Sequence, residues 1–115
     1  MSVERFGVGA RLSKAVKHGD TIYVAGTVAE DPSKGITEQT ASILKQIDAA
    51  LAHFKSDKTK VVSATVWVAS MGHYDGMNKA WDAWVPAGHT PARATVETRL
   101  AKPEYLVEIA CVAAA

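Results

Sequence analysis

Val61-Val62-Ser63-Ala64-Thr65-Val66-Trp67-Val68-Ala69 is the stretch on which the fold turns. It is a run of β-branched and apolar residues, the composition that suits a buried strand. Neither of its faces is polar, since Val62, Val66 and Val68 alternate with Val61 and Trp67. The segment from Tyr105 to Ala113 repeats the pattern, with Tyr105, Val107 and Ile109 alternating with Leu106 and Val112. A sheet whose strands are apolar on both faces needs cover on both.

Working outward from that strand, the residues before it read as a helix. Ile43, Leu44, Ile47, Ala50, Leu51 and Phe54 recur at the three-and-four spacing of one helical face, with Lys45, Gln46, Asp48 and Lys55 on the other. Beyond it, Ser70-Met71-Gly72 breaks the chain. Tyr74, Met77, Trp81, Trp84 and Val85 then resume helical spacing until Pro86. Ala92–Thr98 reads as a strand between Pro91 and the Lys102-Pro103 turn. Near the N-terminus, Leu12–Val16 and Thr21–Ala25 flank Lys17-His18-Gly19-Asp20 as a hairpin. Glu30 to Gly35, with Pro32 and Ser33, has loop chemistry.

The expected order is β-β-α-β-α-β-β, an α+β fold in one domain spanning residues 1–115. Two helices can cover only one face of such a sheet. The missing cover must come from another subunit, so an oligomer is expected from the residues alone.

Composition excludes little but steers the reading. Thirteen basic and twelve acidic residues give a formal charge of +1, without the basic excess of a nucleic-acid binder. Cys111 is the single cysteine, so no disulfide forms within the chain. Met1-Ser2-Val3-Glu4-Arg5-Phe6 lacks the apolar core of a signal peptide, and no apolar run approaches the ~20 residues of a membrane span. A cytoplasmic location is the default expectation, with neither nucleic acid nor membrane as partner.

Pro91-Ala92-Arg93-Ala94-Thr95-Val96-Glu97 resembles the Pro-Ala-Arg-x-x-Val-Glu signature of the YjgF/YER057c/UK114 family, also called Rid. Val107-Glu108-Ile109 is similar to that family's closing strand. Further matches are Ser13-Lys14-Ala15-Val16, Val24-Ala25-Gly26, Gln39-Thr40, Val66-Trp67-Val68 and the helix carrying Asn78. The resemblance implies a chorismate-mutase-like fold and a homotrimer, in which three sheets form a central barrel with ligand clefts between subunits.

It also implies a reaction: hydrolysis of enamine and imine acids such as 2-aminoacrylate to 2-keto acids and ammonia, with no cofactor and no metal. That chemistry needs a grip on a small carboxylate and a water placed against an electrophilic carbon. A guanidinium supplies the grip, because its planar fork binds a carboxylate bidentately. By resemblance Arg93 holds this position; read alone, it would be a salt-bridged or solvated arginine. Glu108 interrupts an apolar strand, so it is exposed at an edge, paired or functional. The family places a water-orienting residue or general base there. Thr95 lies two residues beyond Arg93 on the same strand face. Its position commonly carries a small residue whose backbone N–H meets the carboxylate.

Two departures bear on substrate choice. Many members carry a cleft tyrosine in a Gly-Pro-Tyr segment; here Gly9-Ala10-Arg11-Leu12-Ser13 puts Leu12 in its place. The common Ser-Gly-Gln after the second strand is Ala25-Gly26-Thr27, a second lost hydroxyl. Leu12, Ala25 and Gly26 are thus expected to line a more apolar pocket that prefers bulkier imines. The loss of the tyrosine leaves a competing function open, a non-catalytic protein binding small carboxylate metabolites. A third class, action on RNA, has little support in the charge balance.

Other signals are discounted. Gly7-Val8-Gly9 begins like a dinucleotide fingerprint, but Leu12 stands where the third glycine belongs. His18, His53, His73 and His89 are too scattered for a metal motif. Cys111 reads as a small buried hydrophobe, and Trp81 and Trp84 as packing residues rather than a ligand platform.

Overall fold

The structure, a computed structural model, describes residues 1–115. Six strands and two α-helices follow one another as β1 (Val3–Val8), β2 (Ser13–His18), β3 (Thr21–Thr27), α1 (Ile36–His53), β4 (Val61–Val68), α2 (Tyr74–Trp84), β5 (Ala92–Glu97) and β6 (Val107–Ala114). They form one sheet in the order β1-β2-β3-β6-β4-β5, antiparallel except for the β4–β5 pair. No helix is long and apolar enough to cross a membrane.

The topology explains why both helices share one face. β3 and β4 each pair antiparallel with β6, so they run parallel to one another, and α1 is the crossover between them. The second crossover, α2, joins parallel β4 and β5. Both step the same way along the sheet, and connections of one hand then place both helices on the same side. Under them, Ile43, Leu44, Ile47 and Leu51 of α1 and Met77 and Trp81 of α2 pack on Ile22, Val24, Val66, Val68, Val107 and Ile109.

Turn chemistry and caps set the ends of the elements. Gly19 adopts φ 61° in the tight β2–β3 turn, a conformation glycine takes without steric penalty. At the start of α1 the Gly35 N–H donates to Glu38 Oε2 (3.1 Å). Gln39, fully buried, fastens the loops around that start. Its amide donates to the carbonyls of Pro32 (3.1 Å), Lys34 (2.9 Å) and Glu104 (3.1 Å), and its oxygen accepts from the Leu106 N–H (3.0 Å).

Several expectations need correction. The sheet gains a first strand, β1, paired antiparallel with β2; Gly7 and Gly9 belong to this hairpin, with the Gly9 N–H donating to the Leu12 carbonyl (2.8 Å). Leu12 lies in the hairpin loop, and β2 begins at Ser13. The last strand begins at Val107 rather than Tyr105. In β4 a register shift between Val61 and Ser63 places Val61, not Val62, with Val66 and Val68 beneath the helices. A one-residue slip of this kind exchanges the two faces.

The opposite face of the sheet is bare in the single chain. Tyr23 is 52% exposed, Val62 55% and Val96 44%, while Trp67, Ala110 and Val112 are half-buried.

Candidate active site

Arg93 sits on β5, the edge strand, in register with Ala64 of β4 and so on the helix-covered side. Helix α2 holds its guanidinium. Residues 74, 78 and 81 fall one turn apart along a single helical face, and all three reach it. Nη1 donates to Asn78 Oδ1 (2.8 Å), with Met77 Sδ also close (3.8 Å), and Nη2 donates to the Tyr74 hydroxyl (3.3 Å). The charged carbon lies 5.0 Å from the centroid of the buried Trp81 ring and 5.9 Å from that of Tyr74. None of these partners is anionic. The one ion pair in the chain is Lys17–Glu4, across β1 and β2.

The strand carries two more side chains to the same side. Thr95 Oγ1 is buried without a hydrogen-bond partner. Glu97 Oε1 accepts the Met71 N–H (2.8 Å), which ties the end of β5 to the turn leading into α2.

Glu108 faces the other way. On β6 it is in register with Trp67, so it projects from the bare face, while its neighbours Val107 and Ile109 are buried under the helices. Its carboxylate lies over Gly26: a Cβ at that position would overlap Glu108 Oε2. The approach follows from an irregularity in β3, where the register with β6 shifts between Val24 and Thr27. A bulge there turns the extra residue toward the face of Ala110 and Glu108. Leu12, Val24, Ala25, Gly26 and Thr27 line a small cavity of about 180 Å³ with Lys14, Val28, Gln46 and Ala50. Leu12 is 60% exposed at its mouth.

The nominated residues therefore form two groups. Leu12, Ala25 and Gly26 share the small cavity by β3, where Gly26 also meets Glu108, and Arg93 and Thr95 lie at the β5 edge. Within one chain the groups do not meet, because β5 is two strands from β6, roughly 10 Å at ~4.8 Å per strand, and the side chains leave opposite faces. A larger hollow of about 630 Å³, lined by Glu97, Arg99, Lys102 and Tyr105 among others, involves none of them.

Sequence reasoning missed the cradle around Arg93. The sequence reads Trp81 as a packing residue; it is buried, and its ring is also close to the guanidinium. The available signal was the 74-78-81 spacing on a helix that enters β5. Trp84 does pack: its Nε1 donates to Asp48 Oδ1 on α1 (3.0 Å) and its carbonyl accepts from Lys58 Nζ (2.7 Å). Burial pushes the Cys111 thiol up to about 12.

An α+β sheet with two crossover helices on one face and an arginine on its parallel edge strand defines a class, and comparison with known proteins gives it a family. The family model described as Endoribonuclease L-PSP matches residues 3–115. The chain belongs to the YjgF/YER057c/UK114 family, also called Rid or RutC. It is 46% identical over 114 residues to the RutC family protein YoaB of Escherichia coli strain K12, covering 99% of each chain. Among solved structures it resembles a YjgF family member from Neisseria meningitidis, with 47% identity, a TM-score of 0.96 and coverage of 99% of this chain and 95% of that one. A YjgF/YER057c/UK114 member from Mycobacterium tuberculosis shares 25% identity with a TM-score of 0.90, over 99% of this chain and all (100%) of that one. The resemblance read from the Pro91–Glu97 and Val107–Ile109 segments is thereby established as membership.

Proposed function

We propose that the protein hydrolyses small 2-imino and enamine acids to 2-keto acids and ammonia, in clefts completed by neighbouring copies in a homotrimer. The observation that carries this reading is that the chain holds two incomplete halves. One is a guanidinium fixed by neutral partners with no counter-ion; the other is a carboxylate on the opposite sheet face with no cation beside it. Each half lacks what the other has, and the bare apolar face around Glu108 is where a second copy would pack.

In the reaction, Arg93 pairs with the substrate carboxylate and fixes C2 of the imine. Glu108 orients a water and accepts its proton as the oxygen bonds to C2. Glu108 passes that proton to nitrogen, giving a carbinolamine; the proton of the new hydroxyl then follows to nitrogen through Glu108, the C–N bond breaks, and ammonia leaves as the keto group forms. One water is consumed, nothing is oxidised, and Glu108 returns to its starting state. Gly26 and Ala25 leave room for the carboxylate of Glu108 and for the substrate side chain, and Leu12 gives the pocket an apolar wall.

The test is deamination of imines generated in situ by an amino-acid oxidase. Arg93→Ala should reduce turnover to background while the assembled state is preserved; unchanged turnover defeats the assignment. The missing phenol at Leu12 favours one competing reading, a carboxylate-binding protein without turnover. Saturable keto-acid binding by the intact protein with no imine hydrolysis would support that instead. Since the matching family model is described as an endoribonuclease, RNA is an arm of the same experiment. RNA cleavage that survives repeated purification and disappears with Arg93→Ala would overturn the deaminase reading.

A further inference from the structure

The cradle around Arg93 does more than hold it, because it fixes which donors of the guanidinium remain available. Nη1 is taken by Asn78 Oδ1 and faces Met77 Sδ, and Cζ lies 5.0 Å from the Trp81 ring centroid. Nη2 spends one N–H on Tyr74 and keeps the other; the Nε–H has no partner in the chain. The donors left without a partner are therefore the Nε–H and one N–H of Nη2, while Nη1 is occupied.

Tyr74 stands beside Nη2. Its hydroxyl accepts from Nη2, which leaves its own proton uncommitted, and the residue is 37% exposed. A carboxylate oxygen accepting from Nη2 would lie beside a phenol oxygen only 3.3 Å from the same nitrogen. A phenol that accepts from a cation is also polarised toward donating.

We propose that Tyr74 is a substrate-binding residue whose hydroxyl is the third donor to the carboxylate, beside Nε and Nη2 of Arg93. The assignment rests on the proposed function insofar as the ligand is a small 2-keto or 2-imino acid. It goes further in naming the residue and the donors of the fork that recognise it. The cradle is neutral throughout, so Tyr74 adds a hydrogen bond without cancelling the charge that attracts the ligand.

The experiment measures calorimetric binding of 2-oxobutanoate, a stable keto acid, and oxidase-coupled imine turnover, with wild type and Tyr74→Phe. The phenylalanine keeps the ring against the guanidinium and removes only the hydroxyl, and a thermal melt checks the fold. The expected result is a Kd weakened roughly tenfold, the loss of one hydrogen bond to a charged group. KM should rise by a similar factor while kcat changes less than about twofold, the pattern of an interaction made equally in ground and transition states. An unchanged Kd overturns the assignment, as does a loss confined to kcat. If wild type binds the keto acid but hydrolyses no imine, the deaminase reading fails and the Kd ratio alone decides Tyr74. If wild type hydrolyses imines without measurable keto-acid binding, the KM ratio decides Tyr74; if it neither binds the keto acid nor hydrolyses an imine, both fall.

Discussion

The two faces of the central sheet differ in what they ask of their surroundings. Beneath the helices, Ile22, Val66, Val68, Val107 and Ile109 are sealed from water by the chain itself. On the far side, Tyr23, Val96, Trp67, Ala110 and Val112 form an apolar surface, and Glu108 is the charge set into it. The covered face makes a stable protomer. The bare face leaves an apolar surface and an unpaired carboxylate, which the proposed function assigns to contact with a second copy. Stability is thus assigned to the covered side of these strands, while the candidate chemistry is divided, with Glu108 on the bare face and Arg93 at the β5 edge of the covered one.

The sharpest way to break this comparison is to substitute two near neighbours of β6. Ile109→Ala, on the covered face, should lower unfolding stability by about 2–5 kcal/mol, since the cavity it leaves is closed in by the helices. Its effect should not depend on protein concentration. Val112→Asp, on the bare face, should instead shift sedimentation from an assembled species toward the 12.2 kDa chain, with secondary structure retained. A wild-type protein that sediments as a monomer at micromolar concentration would remove the reason for the bare face.

How much of this arrangement could be read in the sequence depended on whether a residue answers to its own element or to a distant one. Helix α1 was legible because its periodicity records which side meets the core, and strands β4 and β6 because their β-branched, apolar composition suits buried strands. Strand β1 was not: it is an outer strand whose residues are mostly exposed, and only Phe6 turns inward, to stack on His53 at 4.6 Å. Val61 and Val62 were exchanged because a register shift leaves no mark in a run of valines. In the candidate site, Glu108 announced itself by interrupting an apolar strand. Arg93 was found only through its motif, since an arginine on a short strand is otherwise unremarkable. Its cradle stayed hidden because an aromatic stripe on a helix looks the same whether it meets a core or a cation.

A smaller effect sharpens the comparison at the site. Gly26→Ala places a methyl where Glu108 Oε2 now lies, and the displaced group is the end of a flexible side chain. The carboxylate should swing aside while the fold is retained, with a melting temperature close to wild type. Imine turnover should nevertheless fall about a hundredfold, the scale expected for misplacing a catalytic group by about 1 Å. Full activity in this variant would separate Glu108 from the reaction; loss of folding would show that the bare face is less tolerant than its exposure suggests.

The smallest effect concerns Cys111, one residue from Val112 but on the covered side. Burial raises its thiol from an ordinary 9.0 to about 12, because the anion would have to form away from water. The folded chain therefore keeps this proton at pH values where the unfolded chain has released it. Stability from this residue is complete below pH 9 and declines as pH rises from there toward 12, since over that window the unfolded state binds fewer protons. Near neutrality the group should be silent, with Cys111→Ala showing no change in the slope of stability against pH between 6 and 8. Iodoacetamide should label it only as fast as the protein opens. Rapid labelling at neutral pH would mean that the helix-covered face is wetter than its packing implies, and the contrast between the two faces would lose its sealed half.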